Sequence, residues 1–236
     1  MPTILQLANQ VCDLIPVKQI NKIFNSDNKT GKLFSSLVIS ESQNIYESNN
    51  WRINQETIDL LPASATKLIP LPLNFDSILH GAVWNKATGY RLHALNDVDF
   101  LSIINDPYRG IESLRNYFRI ITTPLGFSIE FTFDIIASDK INITYKTNTT
   151  ANSAAATPLS DFSNDTDVSI YPDSLIRAAL HKGMLLNLGM NADYPISEYS
   201  RILNLMIAKD SDSSVISLSH QNHRSYFNIP ETGYGA

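Results

Sequence analysis

Between Phe127 and Ile135 the chain alternates strictly. Phe127, Ile129, Phe131, Phe133 and Ile135 are apolar, and Ser128, Glu130, Thr132 and Asp134 between them are polar. Successive side chains of a strand point to opposite faces, so the pattern predicts a β-strand with one apolar face. Ile141, Ile143 and Tyr145 repeat it beyond a turn at Ser138-Asp139, and Tyr117 to Thr122 adds another β-rich run. The three runs predict an antiparallel meander with one wet face. Upstream, Pro62, Pro70 and Pro72 exclude helix from Ile58 to Leu73, because proline removes a donor and fixes φ. Ile78 to Trp84 reads as a further strand, followed by a turn over Asn85 to Gly89.

Helical spacing takes over at both ends. Thr3 caps a helix over Ile4 to Ile15, with Leu5, Ala8, Cys12 and Ile15 in register and Pro16 as its stop. A second helix, about Thr30 to Glu47, carries Phe34, Leu37, Val38 and Ile45 and ends at Asn49-Asn50, just before Trp51. Asn96 or Asp97 caps a short helix over Val98 to Ile104. Pro172 and Asp173 open a third long helix, with Ile176, Leu180, Met184 and Leu188 four apart and Gly189 suited to a left-handed cap. Asp193 or Tyr194, with Pro195, starts the last helix, whose stripe is Ile196, Tyr199, Leu203 and Met206. Thr147 to Asp167 reads as a long loop. After Lys209 periodicity vanishes, yet Val215, Ile216, Leu218, Tyr226, Phe227, Ile229 and Tyr234 remain as spaced apolar anchors. Such a segment suits an arm that orders on a partner.

The expected architecture is α+β. N- and C-terminal helices, about 3–48 and 173–209, form a helical bundle, with an antiparallel β-meander inserted over about 58–147 and a loop over 147–167. Residues 1–209 are expected to make a single domain, and 210–236 an extended C-terminal arm.

Composition narrows the chemistry. The 236 residues are 43% hydrophobic, which supports a sizeable core. Net charge is −5 and no Lys or Arg cluster stands out, which argues against a tight grip on nucleic acid phosphates. A mildly acidic wall beside DNA would repel the backbone rather than hold it. Cys12 is the single cysteine, which excludes a disulfide within the chain and reads as a small apolar helix residue. No signal peptide and no apolar run long enough for a membrane span is evident.

The common catalytic signatures are missing: G-x-S-x-G, H-E-x-x-H, the P-loop and the dinucleotide fingerprint. His220 and His223 lie in the non-periodic tail with no Cys or carboxylate ligand nearby, and read as hydrogen-bonding groups. His80 and Trp84 share one strand face with Ile78 and Ala82 and read as packing partners. Glu112, Glu130 and Asp134 are the candidates for an acid/base pair, but nothing in their spacing singles out two of them. No catalytic residue, cofactor or metal is expected.

The order of four motifs resembles the head-to-tail adaptor proteins of short-tailed bacteriophages, the tail accessory or head-completion family. An N-terminal helix pair ends at Asn50-Trp51. Leu71-Pro72, Phe75-Asp76 and Ile78 lead into Val83-Trp84-Asn85-Lys86-Ala87-Thr88. A short helix follows where the family often has Ser-Pro-Gln-Glu-Trp; here Asn96-Asp97-Val98-Asp99-Phe100 keeps a polar cap and one aromatic. Tyr171-Pro172-Asp173-Ser174-Leu175 then opens the C-terminal helices, leading through Leu188-Gly189-Met190 to Tyr199 and Ala208-Lys209-Asp210. The resemblance spans roughly residues 3 to 220.

It implies a structural virion protein at the head-tail junction, made in the bacterial host cytoplasm. Twelve copies would form a ring under the portal protein, with a tail nozzle or tail tube protein below. DNA would pass through the channel during ejection without specific binding, and no membrane is involved. The arm would bind the portal through Val215, Ile216, Leu218, His220, Tyr226, Phe227, Ile229 and Tyr234. Trp51, Trp84, Asn85 and Pro172 would form structural joints. The competing reading is a glycan hydrolase or a carbohydrate-binding component of a phage tail.

Overall fold

The structure is a computed structural model that describes residues 1–62, 64–105, 116–124, 126–136 and 138–210, His80 by its backbone. Its five α-helices are α1 (Ile4–Cys12), α2 (Lys29–Ser48), α3 (Asp97–Asn105), α4 (Asp173–Asn187) and α5 (Asp193–Asp210). The chain divides into two compact units, one built from Met1–Arg52 together with the chain from Thr150, the other from Ile53–Thr149.

In the first unit, local capping sets the helix starts. Thr3 and Gln6 form a reciprocal capping box at α1, with bonds of 3.0 and 3.3 Å. Asn28 caps α2 by accepting from the Thr30 amide at 3.1 Å. The C-terminal end of α2 is tied off by the Trp51 indole, whose Nε1 donates to the Ile45 carbonyl at 2.7 Å. Trp51 is buried and meets the Tyr171 ring at 5.8 Å, just ahead of Pro172, the N-cap residue of α4. Helices α2 and α4 approach closely at Gly183, where a Cβ would lie 2.9 Å from Leu37 Cδ2. Beside it Lys182 Nζ donates to Glu41 Oε2 at 2.9 Å and sits 4.1 Å over the Tyr199 ring of α5. One core collects Ile4, Leu7 and Val11 of α1, Phe34, Val38 and Ile45 of α2, and Leu175, Leu180 and Met184 of α4.

The second unit holds β1 (Gln55–Leu60), β2 (Thr66–Pro70), β3 (Phe75–Asn85), β4 (Tyr90–Arg91), β5 (His93–Ala94), β6 (Tyr117–Thr123), β7 (Gly126–Ile135) and β8 (Ile141–Thr147). They form two four-stranded sheets, ordered β1-β8-β3-β4 and β2-β7-β6-β5. Apolar side chains from both sheets make one core, centred on Phe131, Ile129, Ile135, Ile141, Ile143 and Tyr145. Helix α3 packs on β6 and β7, with Phe100 fully buried under the Arg119 guanidinium, 4.6 Å from the ring centre. Arg119 also pairs with Glu130 at 2.7 Å and Asp97 at 3.1 Å.

The remaining strands, β9 (Ala151–Asn152), β10 (Pro158–Leu159) and β11 (Val168–Ser169), form a small third sheet in the first unit. Its segment is tied down by two carboxylates. Asp165 Oδ1 accepts from the Ile23 and Phe24 amides at 3.0 and 2.9 Å. Asp167 Oδ2 accepts from the Ser163 and Asn164 amides, both at 2.8 Å.

These facts correct the expected architecture of terminal helices bundled around one meander. Among the described residues, eleven strands in three sheets outnumber the five helices. The run β6, β7, β8 is no meander: β7 pairs with β6 and β2, whereas β8 crosses to the other sheet between β1 and β3. Pairing β5 with β6 is moreover parallel. Alternation reports that a strand has an apolar face, and two sheets facing each other satisfy it as well as one sheet does. Nor is the opposite face of β7 simply wet, since Ser128 and Thr132 are buried. The expected 147–167 loop contains β9 and β10, strands too short to leave a periodic trace.

Candidate interaction surface

Helix α5 is poorly covered for its length. Of its 18 residues only Pro195 is fully buried, while Tyr199, Ile202, Leu203, Met206 and Ile207 pack partly against the core of the first unit. Ile196, the first residue of the expected stripe, is exposed, and so is Leu188 at the end of α4. Leu186, Met190 and Tyr194 add to this set, with Tyr194 73% exposed. The turn between α4 and α5 therefore presents large apolar side chains to solvent, a surface that a partner would cover.

Next to that turn, α1, α4 and α5 border a groove of about 560 Å³. Leu14, Tyr194 and Ile202 supply its apolar lining; Asp13, Arg177, His181 and Glu198 supply its polar groups. Glu198 is held below the usual carboxylate range by the Arg201 side chain, which donates from Nε and Nη2 to its two oxygens at 2.8 Å each. Burial pushes the His181 imidazole below its ordinary value. Among these lining residues no nucleophile stands at hydrogen-bond distance from a base; the groove suits seating an apolar side chain inside a charged rim.

His181 gives a pH test. A neutral imidazole is favoured in the fold, so its contribution is fully present above about pH 6.5 and is lost as pH falls below that. The unfolding midpoint of the wild type should decline modestly between about pH 7 and 5, and His181→Gln should flatten that slope. Equal slopes for the two proteins would remove His181 as the cause.

The residues singled out from sequence are scattered. Trp51 and Pro172 belong to the first unit, where both frame Tyr171. Trp84 and Asn85 belong to the second. Asn85 is buried and organises the turn into β4: its Oδ1 accepts from the Ala87 and Thr88 amides at 3.0 and 3.2 Å, and its carbonyl accepts from Gly89. Trp84 is 44% exposed and Val83 is buried instead. The β3 ladder slips between Ile78 and Val83, so the assumption that 78, 80, 82 and 84 share one face fails at a bulge. Glu130 is engaged by Arg119. Asp134 lines a pocket of about 300 Å³ with Asp139, but Asp139 is occupied as a turn acceptor for the Ile136 amide and Asn85. Cys12 is buried, and burial raises its thiol above the ordinary value. Glu112, His220, His223 and all the proposed arm residues lie outside the described residues.

No protein-family model matches this chain, and no curated protein does. Among the described residues no cluster of three or more His, Cys, Asp or Glu is placed to hold a metal ion. Among the described residues no helix is long and apolar enough to cross a membrane. Sequence reasoning missed the α1–α4–α5 groove. Its one trace is Tyr194 and Leu14, large apolar residues that stand at helix ends instead of within a stripe.

Proposed function

We propose that this chain is a structural virion protein: a ring-forming adaptor that joins the portal of a phage head to the tail and continues the DNA channel. The observation that carries the reading is the uncovered apolar surface at the α4–α5 turn, alongside the groove of about 560 Å³. A closed ring needs each copy to offer a stiff, partly apolar face to its neighbour, and heterologous contacts of this kind close when the rotation allows. The ordered motifs that resemble the adaptor family support the same reading. In it the second copy covers Leu186, Leu188, Met190, Tyr194 and Ile196, and the segment 211–236, which follows α5 directly, reaches the portal. Many copies of a weak contact around a ring bind strongly together.

Co-expression with the candidate portal protein, followed by mass measurement, tests the proposal. A discrete complex with multiple copies per portal is expected, and Tyr194→Asp should abolish the ring while leaving the circular dichroism spectrum unchanged. Truncation should be made after Asp210, not before it. The Asp210 carboxylate accepts from the Arg52 amide at 3.2 Å and from Asn49 Nδ2 at 3.3 Å, so its loss would disturb the fold as well as the arm. Failure to co-migrate with the portal at any salt concentration would reject the adaptor reading.

A further inference from the structure

The second unit contains a charged side chain, Arg91, that forms no ion pair among the described residues. Strand β3 pairs with β8 at Ile78↔Tyr145 and again at Val83↔Ile143. Residues 79–82 therefore bulge out opposite the single Thr144. At the bulge Gly81 takes φ +74°, and a Cβ added there would collide with Nη2 and Cζ of Arg91. The guanidinium of Arg91, one strand over on β4, thus lies against bare backbone. Glycine serves here both to adopt the left-handed conformation and to admit the guanidinium.

Arg91 lines a pocket of about 430 Å³ between the bulge, the β4–β5 segment and β6. Its walls are mostly apolar, with Leu79, Val83, Leu92, Phe118 and Ile120, of which Val83, Leu92 and Phe118 are buried; His93 is the other polar side chain in the lining. Nε of Arg91 is buried and has no hydrogen-bond partner. Arg91 takes part in none of the ion pairs found among the described residues. A buried donor on a permanently charged group is costly to leave unmade, and a guanidinium fork is shaped for a carboxylate.

We propose that this pocket is a binding site for a carboxylate carried on an apolar group. Arg91 is the one permanently charged group in the lining, beside His93, and its guanidinium balances a single negative charge. A phosphate dianion would bring a second charge against Leu92 and Phe118, which burial penalises. The apolar walls in turn favour a carboxylate whose neighbouring atoms are hydrocarbon. Two sources carry that chemistry, a small apolar acid and the C-terminal carboxylate of a chain ending in an apolar residue. The site is independent of the adaptor reading, since it lies wholly in the second unit and uses neither α5 nor the arm.

The full-length protein can be titrated with phenylacetate and with N-acetylleucine while the Arg91 Nε–H resonance is followed by NMR. A saturable shift at about millimolar concentration is expected for at least one acid, as suits a ligand of this size. Phenylacetate ahead identifies the small acid, and N-acetylleucine ahead the chain terminus. Phenylacetamide and inorganic phosphate should bind at least about tenfold more weakly, and Arg91→Gln should weaken the acid by about tenfold or more. Arg91→Met, which keeps the apolar stem, should unfold at the same temperature or higher than the wild type, because a charge held for a ligand is removed. Absence of a saturable shift with both acids, or equal binding of acid and amide to the wild type, would overturn the assignment. So would a lowered unfolding temperature in Arg91→Met, the mark of a purely structural arginine.

Discussion

Replacing Phe131 by alanine should destabilise the protein by about 3–5 kcal/mol, the usual range for truncating a fully buried phenylalanine. Phe131 is completely buried, pairs directly with Phe118 on β6, and meets the Phe118 and Phe133 rings at 6.4 and 6.0 Å. It belongs to the core that β7 shares with Ile141, Ile143 and Tyr145 of the opposite sheet. The cavity should thus loosen both sheets. Hydrogen exchange at the amides of β7 and of β8 should accelerate together, and the urea midpoint should fall. Phe127 offers a control: it stands in the same alternation but is 42% exposed at the strand's start, where it meets Phe75 at 5.4 Å. Phe127→Ala should cost no more than about 1.5 kcal/mol. If β8 exchange were untouched by Phe131→Ala, the two sheets would not share a core.

Asp167→Ala should cost about 3 kcal/mol, because charge-assisted hydrogen bonds contribute about 1.5–3 kcal/mol each and do not add fully. The residue is 1% exposed, and its Oδ2 accepts from the Ser163 and Asn164 amides and, at 3.3 Å, from the Ser163 hydroxyl. Alanine would leave two amides in a partly buried loop without their acceptor. The effect should travel to the first helix, since the Asp167 carbonyl accepts from the Ile4 amide at 2.9 Å and the Asp165 carbonyl from Leu5 at 3.3 Å. Exchange at Ile4 and Leu5 should quicken in parallel with the loss of stability. Asp167→Asn, which keeps an acceptor oxygen, should be milder. A change below about 1 kcal/mol for Asp167→Ala would mean that the segment before β11 rests on α1 without supporting it.

Nothing in the chain's local pattern announced Asp167. It falls in an Asn-, Thr- and Ser-rich stretch whose composition describes a loop, and the carboxylate acts through neighbours whose positions depend on the rest of the fold. Asn85 stands out in the sequence for its place beside Trp84, yet its role comes from a buried side chain that caps its own turn. Arg91 carries no local signal of its role. An arginine between Tyr90 and Leu92 reads as an ordinary exposed strand residue, and only the β3 bulge converts it into the floor of a pocket.

The sequence by itself determined the elements that answer to neighbours a few residues away. Thr3 with Gln6 and Asn28 with Thr30 start helices through short-range hydrogen bonds, Gly189 takes φ +67° beyond α4, and the alternation of 127–135 sets the strand β7. Tertiary structure alone decided which sheet each strand joined, and that the strands form three sheets rather than one meander. It also decided that α5 keeps one flank uncovered and that the buried Arg91 Nε has no hydrogen-bond partner. The physical reason is that periodicity records how one segment divides its faces between oil and water. Strand neighbours such as Glu56 and Tyr145 are far apart along the chain, and many partners would satisfy the same local pattern.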